Sequence, residues 1–222
     1  MAYTRATRQV DTFRYIAIEG SIGVGKSALA DRLATRLDAT MVLDEVENPF
    51  LPEFYGARPG AAFQAQLFFT LARHRQLMGL RQRDLFSQST VCDYLFERDR
   101  VYAFMNLDDN ELFIYQRLFD LVARDLAQPD IVVYLQTPTD VLERRIRDRT
   151  REPESDAVMP AIDDLPELNE AYNHFFFHYS ATPLLVVETS QVDLSWGDEA
   201  VDDLLRQIKT MGRGTQYYVP RR

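Results

Sequence analysis

The sequence predicts an α/β fold in which a five-stranded parallel sheet is flanked by helices on both faces. Three observations support this prediction. Five short apolar runs lack polar alternation, which is typical of strands buried on both faces of a parallel sheet. Stretches with helical periodicity separate these runs and are long enough for crossover connections. A glycine-rich segment joins the first run to the first helical stretch, where the chain must turn sharply.

The predicted strands and helices alternate along the chain. Strands are expected at residues 15–18, 40–43, 90–93, 130–136 and 183–188. Helices are expected at residues 28–37, 61–84, 108–126, 165–179 and 198–211, with another after Pro138 and an extended end after the last. The chain shows no internal repeat and no low-complexity linker. This favours one domain over residues 1–222, with residues 1–13 as a loose N-terminal segment.

The segment between the first strand and the first helix has the spacing G-x-x-x-x-G-K-S of a phosphate-binding loop. Its glycines allow backbone N–H groups to turn inward around phosphates, and the following helix adds its positive N-terminal end. The lysine supplies a cation for β- and γ-phosphates, and the serine hydroxyl can bind Mg²⁺. The alternative is a glycine-rich turn without a ligand. The loop residues are Gly20, Ser21, Ile22, Gly23, Val24, Gly25, Lys26 and Ser27.

Composition restricts the class of protein. The net charge of −9 argues against a general nucleic-acid-binding surface. The single cysteine, Cys92, excludes an internal disulfide, agrees with a reducing compartment and lies in an apolar run typical of core. There is no long apolar run and no secretory signal, so we expect no membrane segment and a cytoplasmic location.

Charged residues follow three of the predicted strands at the sheet edge where ligands bind in parallel sheets. Asp44 and Glu45 follow the second strand, and Asp93 ends the third. The helix after the fourth strand is rich in arginine. Each group has a simpler interpretation: solvated loop charge, a strand-end residue, or a helix face with i, i+4 ion pairs. Arg149 and Arg151 extend beyond the expected helix end, and such a cluster suits phosphoryl transfer.

Together these motifs resemble the deoxynucleoside kinases, most closely the bacterial deoxyadenosine/deoxyguanosine kinase branch. The resemblance covers about residues 15–196. A phosphate-binding loop alone occurs in many families, whereas the ordered set of motifs is specific. The resemblance implies a P-loop kinase fold with an arginine-rich lid, here residues 144–156. The set comprises the loop, Glu47-Asn48-Pro49-Phe50-Leu51 with Phe54-Tyr55, Phe63-Gln64-Ala65-Gln66-Leu67-Phe68-Phe69 with Arg73, Asp93-Tyr94-Leu95-Phe96, and Arg149-Thr150-Arg151 with Glu154.

The resemblance implies a general base after the second strand. The family has Glu-Pro-Val at this point, and the ungapped match is Asp44-Glu45-Val46. Asp44 would then take the proton of the sugar 5′-hydroxyl, and Glu45 would do so if the loop shifts by one residue. Either carboxylate could hydrogen-bond the hydroxyl and activate it. The sequence leaves both candidates open.

The resemblance also implies a set of residues that bind the nucleoside. Gln66 and Arg73 have the spacing of the family's base-reading glutamine and its arginine. Tyr55 matches the tyrosine that contacts the 3′-hydroxyl, and Glu154 matches its partner in the lid. Asp99 matches an acidic position that contacts the base.

The remaining implied roles concern phosphate and metal. Arg149 and Arg151 match the lid arginines that clamp the transferring phosphoryl group. Asp93 matches the acidic residue near Mg²⁺, which Ser27 would also bind.

The sequence departs from the family pattern directly after Asp93. Tyr94 stands where the family has an arginine that helps to hold the 5′ end of the substrate, and Leu95 stands where it has a serine. Arg98 and Arg100 are the candidates to replace that arginine.

These inferences predict an enzyme of nucleotide salvage that uses ATP and Mg²⁺ to phosphorylate the 5′-hydroxyl of a deoxynucleoside, with a purine expected as the base. The family implies a homodimer. The negative net charge and the lack of a long apolar run predict no nucleic-acid or membrane partner. One alternative is a nucleoside monophosphate kinase such as thymidylate kinase, but the segment after the second strand is acidic rather than cationic. Another is a regulatory NTP switch, but the Asn-Lys-x-Asp element of guanine-specific switches is missing from the sequence.

Overall fold

The computed structural model describes residues 13–44, 47–83, 89–150, 164–192 and 195–220, without the side chains of residues 80–83 and 149–150. Strands and helices alternate through most of these residues. The strands are β1 (Tyr15–Gly20), β2 (Thr40–Val42), β3 (Thr90–Cys92), β4 (Ile131–Gln136), β5 (Leu184–Glu188) and β6 (Thr215–Tyr218). The helices are α1 (Lys26–Leu37), α2 (Leu51–Tyr55), α3 (Ala61–Arg83), α4 (Asp99–Asn106), α5 (Asp109–Ala123), α6 (Thr139–Thr150), α7 (Leu165–His178) and α8 (Asp198–Thr210).

The strands form one sheet in the order β2-β3-β1-β4-β5-β6, and every neighbouring pair is parallel. The prediction of a parallel sheet is therefore confirmed, but the predicted number of five strands is wrong. The sixth strand pairs with β5, with Leu184 opposite Thr215 and Val187 opposite Tyr218. Its sequence, TQYY, is mostly exposed. An edge strand of this kind needs no apolar run, so the criterion that found the other five missed it.

Both faces of the sheet are buried, as the apolar runs predict. Side chains of alternate strand residues point to opposite faces. Ile16 and Ile18 lie in a core with residues of α1 and α8, whereas Ala17 lies in a second core with residues of α4 and α7. A third cluster joins β2 and β3 to α3, α4 and α5. Two helices, α2 and α4, were not predicted.

The parallel arrangement brings the carboxyl ends of β1, β2 and β3 to one edge of the sheet, where the predicted charged residues meet. None of the helices in the described segments is long and apolar enough to cross a membrane. Cys92 is fully buried, as expected for a core residue, and burial raises the pKa of its thiol.

Candidate active site

The phosphate-binding loop lies between the end of β1 and the start of α1. Gly23 and Gly25 have φ values of 81° and 97°, which residues with side chains rarely adopt. A Cβ atom at Gly20 would lie 2.6 Å from a backbone oxygen of β4, so this position also requires glycine. Lys26 Nζ donates to the carbonyl oxygen of Gly20 at 2.7 Å. The loop therefore has the curved backbone and the adjacent cation that a phosphate chain requires.

Asp93 connects the phosphate-binding loop to the end of β2. Its carboxylate accepts a hydrogen bond from Ser27 Oγ at 2.6 Å and another from the backbone N–H of Asp44 at 2.8 Å. The structure thus brings together the two residues predicted to bind Mg²⁺. The described residues contain no group of three or more His, Cys, Asp or Glu side chains that could hold a metal by themselves. Mg²⁺ is commonly bound by one or two protein oxygens and completed by phosphate and water, and Ser27 and Asp93 offer oxygen donors of this kind.

Asp44 lies between two arginine side chains. Arg73 Nε and Nη2 donate to its two carboxylate oxygens at 2.8 and 3.2 Å, and Arg98 Nη2 also donates to Oδ2. Burial alone would raise the pKa of Asp44, but the charges of Arg98 and Arg73 and their hydrogen bonds outweigh burial and lower it to about 2. The carboxylate is therefore ionised at neutral pH. Glu45, the other candidate for the general base, lies outside the described residues.

Arg98 extends into the site and Arg100 does not. Arg98 ends a short 3₁₀ helix, Phe96–Arg98, that follows β3, and only 7% of its surface is exposed. Arg100 instead forms an ion pair with Asp120 on the surface. Of the two candidates to replace the arginine missing at position 94, Arg98 is the one placed beside Asp44. Tyr94 is buried and donates its hydroxyl hydrogen to Gln76.

A buried network of polar side chains from α3, α4 and α5 forms part of the wall of the site. Gln66 Nε2 donates to the backbone carbonyl of Asp99 at 3.1 Å and to the Tyr115 hydroxyl at 3.4 Å. Thr70 Oγ1 bonds the Tyr115 hydroxyl at 2.8 Å and the Asp99 carboxylate at 3.2 Å. Arg73 Nη1 donates to the same carboxylate. Because the Gln66 amide nitrogen is used within the protein, its carbonyl oxygen is the end that can accept a hydrogen bond from a ligand.

Of the four remaining predicted residues, Tyr55, Arg149, Arg151 and Glu154, only Tyr55 has a described side chain. Tyr55 ends α2, lines the same cavity and is 54% exposed. Arg149 lies in the last turn of α6, where its side chain is not described. Arg151 and Glu154 lie outside the described residues.

One cavity of about 470 Å³ connects these groups, a volume typical of small-molecule sites. Lys26 and Ser27 lie on its wall together with the network that ends at Asp99. Of the other loop residues, Ile22 also lines it, whereas Ser21 and Val24 are buried. The cavity is also lined by residues that were given no site role from the sequence, among them Phe54 and Phe69, which lie in the quoted motifs, and Tyr102 and Asn106.

Glu19 is a further residue that the sequence analysis missed. It is fully buried at the end of β1 and accepts hydrogen bonds from the backbone N–H groups of Gly20 at 3.0 Å and Leu95 at 2.8 Å. Burial raises its pKa, and the charges of Arg98 and Lys26 oppose that shift. Glu19 thereby joins the phosphate-binding loop to the segment that carries Arg98. A carboxylate inside an apolar strand, directly before the loop, was the available signal.

Comparisons with known proteins show which family and which fold this chain resembles. The model of the deoxynucleoside kinase family matches residues 16–212. A deoxyguanosine kinase of Bacillus subtilis is 32% identical over 144 residues, which cover 64% of this chain and 70% of that protein. A deoxyadenosine/deoxycytidine kinase of the same organism is 26% identical over 207 residues, which cover 88% of this chain and 92% of that protein. The structure of a deoxyadenosine kinase from M. mycoides with bound dATP has the same fold, with a TM-score of 0.69 and 23% identity over 88% of this chain and 98% of that one.

Proposed function

This chain belongs to the deoxynucleoside kinase family, and we propose that it transfers the γ-phosphoryl group of ATP to the 5′-hydroxyl of a purine deoxynucleoside, deoxyadenosine or deoxyguanosine. The observation that carries this proposal is the continuity of the cavity. It joins the phosphate-binding loop at Lys26 to a polar network at Gln66 and Asp99, and Asp44 lies on the wall between them. A nucleoside bound with its base at the network would have its sugar hydroxyl near Asp44 and the donor phosphates beyond it.

Asp44 is the proposed general base. In the transfer step the O5′–H bond breaks, an O5′–P bond forms, and the bond from phosphorus to the β–γ bridging oxygen breaks. ADP leaves with that oxygen, and the proton passes to Asp44. A carboxylate with a pKa of about 2 is a weak base. It is sufficient here because in a loose transition state the hydroxyl becomes strongly acidic only as it bonds to phosphorus.

Cationic groups are proposed to stabilise the charge that moves during transfer. Ser27 and Asp93 are the residues that would hold Mg²⁺, which would supply further positive charge to the phosphates. Lys26 is proposed to bind the same phosphates from the loop. Arg149 and Arg151 are proposed to clamp the transferred group from the lid, residues 144–156.

The nucleoside is proposed to be held at its sugar and at its base. Tyr55, with Glu154, would contact the 3′-hydroxyl and occupy space near the 2′ carbon, which favours deoxyribose. Gln66, supported by Arg73 and Asp99, would bind the base edge. Phe69 also lines this part of the cavity and offers an apolar surface to the base.

An assay of ATP consumption against single acceptors tests the proposal. We expect phosphorylation of deoxyadenosine or deoxyguanosine and none of their monophosphates. Lys26→Ala should lower kcat at least about 100-fold while the protein stays folded. Lys209→Ala provides a matched control, because Lys209 is exposed in the last turn of α8. Equal ATP consumption with and without nucleoside, or near-normal turnover by Lys26→Ala, would contradict the assignment.

We further propose that the protein is a homodimer in which α5 contributes to the interface. This helix exposes four large apolar side chains to solvent, and such a surface is typical of a protein contact. The exposed side chains are Phe113 (58%), Ile114 (49%), Leu118 (41%) and Leu121 (59%).

The proposal also includes a single kinase domain over residues 1–222. It places the protein in the cytoplasm, where ATP is available and Cys92 stays reduced.

A further inference from the structure

Two histidines lie on the surface near the end of α7, outside the lining of the cavity. His174 and His178 are four residues apart, so they occupy successive turns on one face of the helix. Both side chains are exposed. The contact of this part of α7 with the core is made by Phe176, which is buried. The two imidazoles therefore have no packing role that would explain them.

The two imidazole rings lie close together, with centroids 4.6 Å apart and planes inclined at 45°. A metal ion about 2.0 Å from a ring nitrogen lies about 3.2 Å from the ring centre. Two imidazoles bound to one ion at a right angle then have centres about 4.5 Å apart, and at the tetrahedral angle about 5.2 Å apart. The observed separation matches the right angle, which is found in square-planar and octahedral sites.

The hydrogen bond of His178 indicates which ring nitrogen could bind a metal. Its Nδ1 lies 3.0 Å from the backbone carbonyl oxygen of His174. A carbonyl oxygen only accepts, so Nδ1 carries the hydrogen, and Nε2 of the neutral ring carries the lone pair. Metal-binding histidines almost always donate their second ring N–H to an acceptor of this kind, which fixes the ring orientation. His178 therefore has the tautomer of a ligand that binds through Nε2.

A favourable interaction with the helix dipole is the simpler explanation of a histidine at this place. It accounts for His178, which lies in the last turn of α7. It does not account for a second histidine one turn earlier, with its ring beside the first. The same i, i+4 spacing on one helix face holds Zn²⁺ in H-E-x-x-H sites.

The ligand set indicates the class of ion. Among the described residues, no group of three or more His, Cys, Asp or Glu side chains could hold a metal, so water would complete the coordination of the pair. Imidazole suits Cu²⁺, Ni²⁺ and Zn²⁺, whereas Mg²⁺ and Ca²⁺ prefer oxygen ligands. Binding to the second imidazole is intramolecular once the first is bound, so the pair binds more tightly than either ring alone.

We propose that His174 and His178 form a surface site for one divalent transition-metal ion of the Cu²⁺, Ni²⁺ and Zn²⁺ class. This site is separate from the proposed Mg²⁺ site at Ser27 and Asp93, and the inference does not depend on the proposed function. The bound ion joins two successive turns of α7, so it binds the folded chain in preference to the unfolded chain and stabilises the protein. Cu²⁺ binds more tightly than Ni²⁺ or Zn²⁺ at such a site.

Calorimetric titration of the full-length protein, purified without a histidine tag and without nucleotide, tests this inference. We expect one Ni²⁺ ion to bind per chain, Cu²⁺ to bind more tightly, and Mg²⁺ not to compete. His174→Ala and His178→Ala should each weaken Ni²⁺ binding at least about 10-fold, because a single imidazole loses the intramolecular second ligand. His74→Ala is the matched control, since it removes the third histidine of the chain, on α3, and should bind Ni²⁺ as wild type does.

Urea unfolding provides a second measurement that does not depend on enzyme activity. Excess Ni²⁺ should raise the unfolding midpoint of wild type and of His74→Ala relative to EDTA, and should leave the midpoint of His174→Ala and His178→Ala unchanged. Circular dichroism of the four proteins shows whether each is folded, which is expected because the replaced side chains on α7 are exposed. A wild type that binds neither Ni²⁺ nor Cu²⁺ would overturn the inference. Binding that is weakened less than about 10-fold by loss of either histidine would also overturn it, because the ion would then lie elsewhere.

Discussion

Replacing Asp44 with asparagine removes one negative charge from the centre of the cavity and keeps the size of the side chain. The two arginines that contact Asp44 differ in the carboxylate that each would still contact in the variant. Arg73 keeps the carboxylate of Asp99, whereas Arg98 keeps only Glu19, at 3.9 Å. Both arginines are almost completely buried, so neither can recover its lost interaction from water. The Asp44→Asn variant should therefore be less stable than wild type as well as less active.

The pKa of Asp44 sets the size and the pH range of the stability effect. It falls from 3.8 to about 2 on folding. At about 1.4 kcal/mol per pKa unit, the ionised carboxyl contributes about 2 kcal/mol at neutral pH. A carboxyl whose pKa is lowered by folding adds stability above its unfolded pKa, and this stability is lost as pH falls through the folded pKa. The contribution is thus complete above about pH 5, about half remains near pH 3, and little remains at pH 2.

Urea unfolding of wild type and Asp44→Asn at several pH values measures this contribution. At pH 7 the variant should be less stable by about 2–4 kcal/mol, because two buried arginines lose a partner. The difference should stay constant down to about pH 5 and shrink below pH 4. Asp120→Asn is the matched control, because Asp120 pairs with Arg100 at 59% exposure and should change stability by less than about 0.5 kcal/mol. A difference that is absent, or that does not shrink in acid, would refute the reasoning.

Three further outcomes are expected. Gly20→Ala should weaken ADP binding in calorimetry and destabilise the protein by about 1–3 kcal/mol, because the added Cβ would lie 2.6 Å from a backbone oxygen. Gly212→Ala should change neither property, because a Cβ at that position would meet no atom within 4 Å apart from its chain neighbours. Cys92 should not react with a thiol reagent until urea unfolds the protein, because its side chain is buried and burial raises its pKa. Leu118→Lys should convert the proposed dimer to a monomer in light scattering, whereas Val219→Lys, beyond β6, should not; a monomeric wild type would refute the dimer.

The sequence predicts most of the fold because the central strands are buried on both faces. Such strands must be apolar along their whole length, and β4 is an example. An edge strand has no such requirement, so the polar and aromatic residues of β6 gave no signal. Helix α2 has five residues and is too short to show a period. Helix α4 begins at a buried aspartate, Asp99, within a charged segment that resembles a loop.

The sequence predicts the site residues that lie at or just after the ends of the parallel strands. Ser27, Asp44 and Asp93 meet because the ends of neighbouring parallel strands lie together. Gln66 and Arg73 were identified through the family resemblance, although they lie with Thr70 at i, i+4 and i+7 on one helix face, where a buried polar stripe is itself a signal. Phe54 and Phe69 could not be told from core residues, because an aromatic side chain that lines a cavity has the same pattern as one that fills a core.

The charges on the cavity wall also favour an uncharged acceptor over a nucleoside monophosphate. Among the described residues that line the cavity, the cations are Lys26, Arg73 and Arg98, and the anions are Asp44, Asp93 and Asp99. Both arginines are bound to carboxylates, so an acceptor phosphate would have to displace Asp44 or Asp99 before it could bind them. A sugar hydroxyl needs no such exchange and can hydrogen-bond Asp44 directly.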